Sequence, residues 1–131
     1  MIFLDTNIIS YYFKDNSKVV EELVAAIRNR QKVCITAINI YEVIKGFNWK
    51  NNKKKEALFR KFLPNLSVFT IDEQVVEIAA KIYASLRKKG VTIGDADILI
   101  AAIVIKNNGT LVTNNTKHFR IIDQLKVQNW I

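Results

Sequence analysis

Ile2-Phe3-Leu4-Asp5-Thr6-Asn7 opens the chain with three apolar residues, an acid and two polar residues. An apolar run this short, stopped by a charge, reads as a strand buried on both faces. The polar residues behind it can cap a short helix through Tyr12. The pattern recurs. Val33-Cys34-Ile35 is a second apolar run; Thr36 closes it at an N-cap position, and Ala37 to Phe47 follows at helical period, with Gly46 at its fraying end. Ser67-Val68-Phe69 reads as a third strand, Thr110-Leu111-Val112-Thr113 as a fourth and Lys126-Val127-Gln128 as a short fifth at an edge. Four further helices lie between them. Ser17 to Arg30 is amphipathic, and Asn51 to Leu63 is lysine-rich and stopped by Pro64. Glu73 to Lys89 follows a capping-box pattern, Thr70-x-x-Glu73, and ends at Gly90. Ile98 to Ile105 is apolar all round, the mark of a buried helix. Short apolar strands alternating with helices predict an α/β fold: a three-layer α/β/α domain around a four- to five-stranded, mostly parallel sheet.

The 131 residues fit one domain, and with half of them hydrophobic a single core is within reach. One cysteine, Cys34, excludes an internal disulfide and a cysteine-based zinc site; its place mid-strand makes it a core residue. The longest apolar run, Ile98 to Ile105, falls far short of the roughly 20 residues a bilayer demands. Met1-Ile2-Phe3-Leu4-Asp5 lacks the basic start and small-residue cleavage site of a signal peptide, so the expectation is a soluble, cytoplasmic protein. The net charge of +8 points to an anionic partner, nucleic acid first and membrane surface second. It is unevenly spread: residues 1–49 carry six bases and five acids, and residues 50–131 carry 14 bases and seven acids. Lys50, Lys53, Lys54 and Lys55 begin the densest basic stretch.

In open α/β sheets the site lies beyond the carboxyl ends of the strands. There the chain has Asp5, Thr6 and Asn7 after the first strand, Glu42 after the second, Asp95 and Asp97 at the head of the buried helix, and Thr113, Asn114 and Asn115 after the fourth. Each residue also has a plain structural role open to it, as a cap, a turn residue or a solvated side chain. His118 has no partner of suitable spacing and reads as a surface or structural residue. Taken together, however, clustered carboxylates repel one another unless a cation neutralises them. Oxygen donors suit Mg²⁺ or Mn²⁺, and one or two such ions serve in-line displacement at a phosphodiester. An acidic centre in a basic surround is what a metal-dependent nuclease requires, with lysines holding neighbouring phosphates.

Four segments carry a resemblance to a known family: Ile2-Phe3-Leu4-Asp5-Thr6-Asn7, the Tyr41-Glu42 pair, Asp97-Ile98-Leu99-Ile100-Ala101-Ala102, and Leu111-Val112-Thr113-Asn114-Asn115-Thr116-Lys117-His118-Phe119. Together, in this order and across the whole chain, they resemble the PIN domain and, more narrowly, the VapC toxins of toxin–antitoxin pairs. The closing Val127-Gln128-Asn129-Trp130 resembles the last strand of several such proteins. The resemblance implies a Mg²⁺- or Mn²⁺-dependent endoribonuclease that inhibits translation, a homodimer and a cognate VapB-type antitoxin. It makes Asp5, Glu42 and Asp97 the catalytic, metal-holding acids. The family's fourth position falls on Asn115, and direct coordination by this amide or coordination through water both stay open. Asp95 is an extra acid that either replaces some of the missing charge or caps the helix. Relatives with the Thr113-Asn114-Asn115-Thr116 variant include enzymes acting on initiator tRNA, which implies tRNA as substrate.

The expected chemistry is in-line attack at phosphorus, leaving 5′-phosphate and 3′-hydroxyl ends. Two other functions compete. A phosphatase with Asp5 as nucleophile would need Asp-x-Asp after the first strand, and position 7 is Asn7. A non-catalytic RNA- or protein-binding PIN module would not need the full set Asp5, Glu42 and Asp97. Lys50, Lys53, Lys54 and Lys55 are candidate RNA contacts, with a solvated helix face as the alternative. Tyr11, Tyr12, Phe47 and Trp49 are the expected walls of an apolar groove for the antitoxin tail.

Overall fold

The computed structural model describes all residues, 1–131. Its elements are β1 (Ile2–Leu4), α1 (Thr6–Phe13), α2 (Ser17–Arg28), β2 (Val33–Thr36), α3 (Ala37–Trp49), α4 (Lys53–Phe62), β3 (Ser67–Phe69), α5 (Glu73–Lys88), α6 (Asp95–Lys106), β4 (Thr110–Val112), α7 (Thr116–Phe119) and β5 (Lys126–Gln128). The sheet has five strands in the order β3-β2-β1-β4-β5, and every pairing is parallel. The expectation of a mostly parallel sheet thus becomes an entirely parallel one.

Alternation along the strands divides the core. Ile2, Leu4, Val33, Ile35 and Val112 pack on one face with Ile8, Ile9, Val19, Leu23 and Phe59. Phe3, Cys34 and Leu111 point to the other, where Val75 and Leu86 of α5 and Ile100 and Ile103 of α6 cover them. Each face thus has its own helical layer, as a parallel sheet requires. Ile98 and the run Ile100 to Val104 are all buried, so α6 is the central helix its composition predicted. Gly109 precedes β4 because a side chain has no room: a Cβ there would lie 2.6 Å from the ring of buried Phe3.

Several element ends differ from the sequence reading. α2 stops at Arg28, since Asn29 forms the C-cap and Arg30 takes a positive φ of 56°. α3 runs through Gly46 to Trp49, because glycine mid-helix weakens a helix by only about 1 kcal/mol. α4 begins at Lys53, behind an Asn52 cap. The cap of α5 is Asp72, whose side chain accepts from Val75 N, and not Thr70. Lys106 at the end of α6 pairs with the same Asp72, tying the two helices together and holding its carboxyl below the usual range. The single turn α7 was not anticipated, being too short to show a period. Thr36 does cap α3, Gly90 sits at φ 72° behind α5, and Pro64 falls in a 3₁₀ turn just past α4.

Candidate active site

β1 lies at the centre of the sheet, and the chain runs outward from it on both sides, to β2 and β3 and then to β4 and β5. The crevice beyond β1 and β4 is therefore the switch point at which ligands bind in this class of fold. Asp5 stands there. Register supplies its neighbours: Leu4 pairs with Val112, which brings Thr113 alongside, and Phe3 pairs with Cys34, which brings Thr36 level with it.

Asp5 is buried and held by four donors. Its Oδ1 accepts from Thr6 N at 2.8 Å and from Asn39 Nδ2 at 3.0 Å. Its Oδ2 accepts from Thr113 Oγ1 at 2.7 Å and more weakly from Asn7 Nδ2 at 3.4 Å. Burial still wins: desolvation lifts the Asp5 carboxyl above its ordinary range, the Asp97 charge adds to the rise, and the bonds from Thr113, Thr6 and Asn39 oppose it. Glu42, half-buried on α3, accepts from Thr6 Oγ1 at 2.8 Å. It too is raised, first by desolvation and then by the charges of Asp5 and Asp97. Asp97 lies in the first turn of α6 with its Oδ2 2.9 Å from His118 Nε2. Thus β1, α3 and α6 each contribute one acid to a single electrostatic cluster.

The nearby Lys45 charge opposes the rise at Glu42 but makes no ion pair with it. Among 20 Lys and Arg side chains, none forms an ion pair with Asp5, Glu42 or Asp97. The Asp97 charge raises both Asp5 and Glu42, and oxygen donors crowded in this way without a bonded lysine or arginine suit a divalent cation. As the side chains lie, no three of the acids and His118 stand close enough to hold one ion together, so shared coordination requires side-chain movement.

Two contributors escaped the sequence reading. Asn39 is wholly buried; it donates to Asp5 and, at 3.0 Å, to Thr6 Oγ1, and accepts from Thr36 Oγ1 at 2.7 Å. Its spacing gave a clue, since Asn39 and Glu42 are three apart on one helix face. His118, read as a surface or structural residue without a partner, is the second: the turn of α7 brings it to Asp97, 21 residues away in sequence. Asn115, the expected fourth site, is exposed, and only its backbone N–H, donating to Thr113 Oγ1 at 3.0 Å, joins the network. Asp95 is also exposed and forms no side-chain bond to the cluster; neither it nor Asp97 caps α6 with a hydrogen bond, the cap being Gly94. Asn7 acts as a strut, accepting from Asn114 N at 3.0 Å and donating to Thr113 Oγ1 at 3.3 Å.

Known proteins resemble the chain along nearly its whole length. The PIN domain profile matches residues 2–125. Ribonuclease VapC1 of Haemophilus influenzae strain R2866 is 31% identical over 128 residues, covering 97% of this chain and 96% of that protein. The chain belongs to the PIN-domain family, among the VapC proteins. A crystal structure of VapBC2 from Rickettsia felis, bound to a DNA fragment from its promoter, contains a chain that superposes with a TM-score of 0.91 at 30% identity, over the full length of both. The tRNA(fMet)-specific endonuclease VapC of Shigella flexneri is 27% identical over 128 residues, covering 97% and 96% of the two chains.

Beside the acids, this VapC-family chain has a cavity of about 190 Å³ between α1, α3 and α4. Thr6 and Glu42 line its acidic end, Phe13 and Phe47 its apolar wall, and Lys50 and Lys55 its basic end. Of the four aromatic residues expected to wall one groove, only Phe47 does so. Tyr12 stacks on Phe62 with centroids 5.0 Å apart and serves the packing of α1 on α4. Tyr11 is partly buried and Trp49 is 89% exposed; neither lines the cavity. Phe13, left out of the expectation, also lines it, while packing edge-on against Phe59 and Phe62 of α4. Lys53 and Lys54 stand exposed on the first turn of α4, outside the cavity. No helix is long and apolar enough to cross a membrane.

Proposed function

We propose that the chain is a metal-dependent endoribonuclease, the toxin of a type II toxin–antitoxin pair. The carrying observation is that Asp5, Glu42 and Asp97, from three separate elements, form one electrostatic cluster in which none is ion-paired with a lysine or arginine. Those three acids would hold Mg²⁺ or Mn²⁺, as one or two ions. When bound, such an ion neutralises phosphate charge and lowers the pKa of the attacking water.

The chain's own groups supply positioning. Thr6 bridges the two buried acids, its N–H on Asp5 and its hydroxyl on Glu42. Asn39 and Thr113 keep donors aimed at Asp5, so its orientation survives the burial that raises its pKa. Lys50 and Lys55 lie where an RNA strand leaving the acids would need phosphate contacts. The cavity's apolar wall, ending at the Glu42 carboxylate, suits the tail of a VapB-type antitoxin carrying an arginine. That assignment draws on the R. felis relative, whose structure is of VapBC2. The name of the S. flexneri relative makes initiator tRNA the first substrate to try.

The test is cleavage of initiator tRNA by the purified protein. Activity is expected with Mg²⁺ or Mn²⁺, none with EDTA, and a loss of about 10²-fold or more in each of Asp5→Asn, Glu42→Gln and Asp97→Asn. Products should carry 5′-phosphate and 3′-hydroxyl ends. Cyclic 2′,3′-phosphate ends, or full activity of Asp97→Asn, would overturn the proposal.

A further inference from the structure

The outer side of α3 carries a feature that the acids do not use. Tyr41, Lys45 and Trp49 stand four residues apart and form one ridge along the helix. Tyr41 is 63% exposed and Trp49 89%, the two largest values among the exposed large hydrophobic side chains. Neither ring belongs to the core on either face of the sheet. Between them, Lys45 Nζ lies 5.0 Å from the centroid of the Tyr41 ring. The adjoining ridge of Glu42, Gly46 and Lys50 lines the acidic cavity, and the Lys45 charge is felt at Glu42. The stripe is therefore continuous with the site. Its charge has one sign: from Tyr41 to Lys55 the chain holds five lysines and a single acid, Glu42.

Exposed aromatic faces beside fixed positive charge are what unpaired bases stack upon, whereas the bases of a duplex already stack on one another. The eight residues from Tyr41 to Trp49 span about 12 Å of helix axis. That is the length of roughly three to four stacked nucleotides at about 3.4 Å each. We propose that this ridge is a stacking track for single-stranded RNA. Tyr41 and Trp49 take bases, Lys45 lies between them, and Lys50 on the adjoining ridge meets a phosphate as the strand runs to the acids. The substrate class is thus an RNA with an unpaired segment, a loop or an end. The proposal deepens the nuclease reading above and rests on it. Charge argues against a second copy of the chain as the occupant, since a two-fold contact through this ridge would set lysines against lysines.

Tryptophan emission makes the test direct. Trp130 is 3% exposed, so Trp49 is the tryptophan that a base can reach. A single-stranded oligoribonucleotide, and a paired RNA duplex with the same number of phosphates, are titrated into the protein in EDTA. The single strand should quench the emission and bind at least about tenfold more tightly than the duplex. Tyr41→Ala and Trp49→Ala should each weaken it about tenfold without changing the salt slope, and Trp49→Phe should restore most of the affinity. Lys45→Ala should flatten the slope by roughly 0.7. Binding without quenching, a duplex held as tightly, or alanine variants of wild-type affinity overturns the inference, as does the absence of RNA binding. The nuclease reading is then decided separately, by cleavage of initiator tRNA measured alongside. A Trp49→Ala protein whose sedimenting mass falls to half that of the wild type assigns the ridge to a contact between copies and overturns the inference too.

Discussion

Replacing Asn39 by alanine isolates the positioning of Asp5 from its charge. The amide makes three side-chain bonds in a wholly buried place: to Asp5 Oδ1 at 3.0 Å, to Thr6 Oγ1 at 3.0 Å, and from Thr36 Oγ1 at 2.7 Å. The first is to a carboxylate, a class worth about 1.5–3 kcal/mol, and the other two are neutral, at about 1 kcal/mol each. Thr36 still caps α3 through Asn39 N, so the helix start survives. The lost terms sum to about 4 kcal/mol, and water entering the space recovers part, leaving a destabilisation of about 2–3 kcal/mol. For a chain of this size that lowers the melting temperature by roughly 6–12 °C. The pH dependence follows from the same bond. Asn39 opposes the rise in the Asp5 pKa, so its removal lifts that pKa further. With a folded pKa above the unfolded one, the native state holds the proton longer, and stability falls as pH rises from the unfolded value through the folded one. In Asn39→Ala that fall extends to higher pH, and the acid limb of the activity profile moves up with it. Thermal melts and cleavage rates across pH 4 to 8 measure both. A variant that loses stability but keeps the wild-type acid limb would refute the claim that Asn39 acts on Asp5.

Three further outcomes are expected. Reversing Lys50 and Lys55 to Glu should weaken RNA binding and flatten its salt dependence by roughly 0.7 per lost single-strand contact, while Lys53→Glu with Lys54→Glu changes the slope less; equal slopes for the two pairs would remove the cavity as the RNA path. Gly109→Ala drives a methyl into the Phe3 ring and should cost about 1–3 kcal/mol by chemical denaturation, with Gly46→Ala, which meets nothing, as the neutral or stabilising control. Phe47→Ala should weaken antitoxin binding by about 2 kcal/mol or more in calorimetry, whereas Trp49→Ala, exposed and not lining the cavity, should leave affinity within a few tenths of a kcal/mol.

Much of this was legible in one dimension because it rests on local physics. Ile2-Phe3-Leu4 and Val33-Cys34-Ile35 could only be buried strands, and a chain that alternates such runs with helices has few layerings open to it. Asp5 and Asp97 were legible for a related reason, since one follows a strand and the other opens a buried helix; Glu42, part-way along α3, stood out through the family resemblance of the Tyr41-Glu42 pair. What remained hidden depends on distances that no local pattern encodes. Asn39 looks like one more helix residue until β2 is laid beside β1 and its amide meets Asp5. His118 sits 21 residues from Asp97 and reaches it only because one turn of α7 follows β4, a turn too short to leave a period. Which aromatic lines the acidic cavity was likewise settled by the rotation of α1: Tyr12 and Phe13 both pack on Phe62, but only Phe13 reaches the cavity. Sequence alone determines where the chain buries apolar surface and where it strands charge. Only the packed sheet decides which polar groups meet, because parallel strands join residues more than 30 positions apart through register.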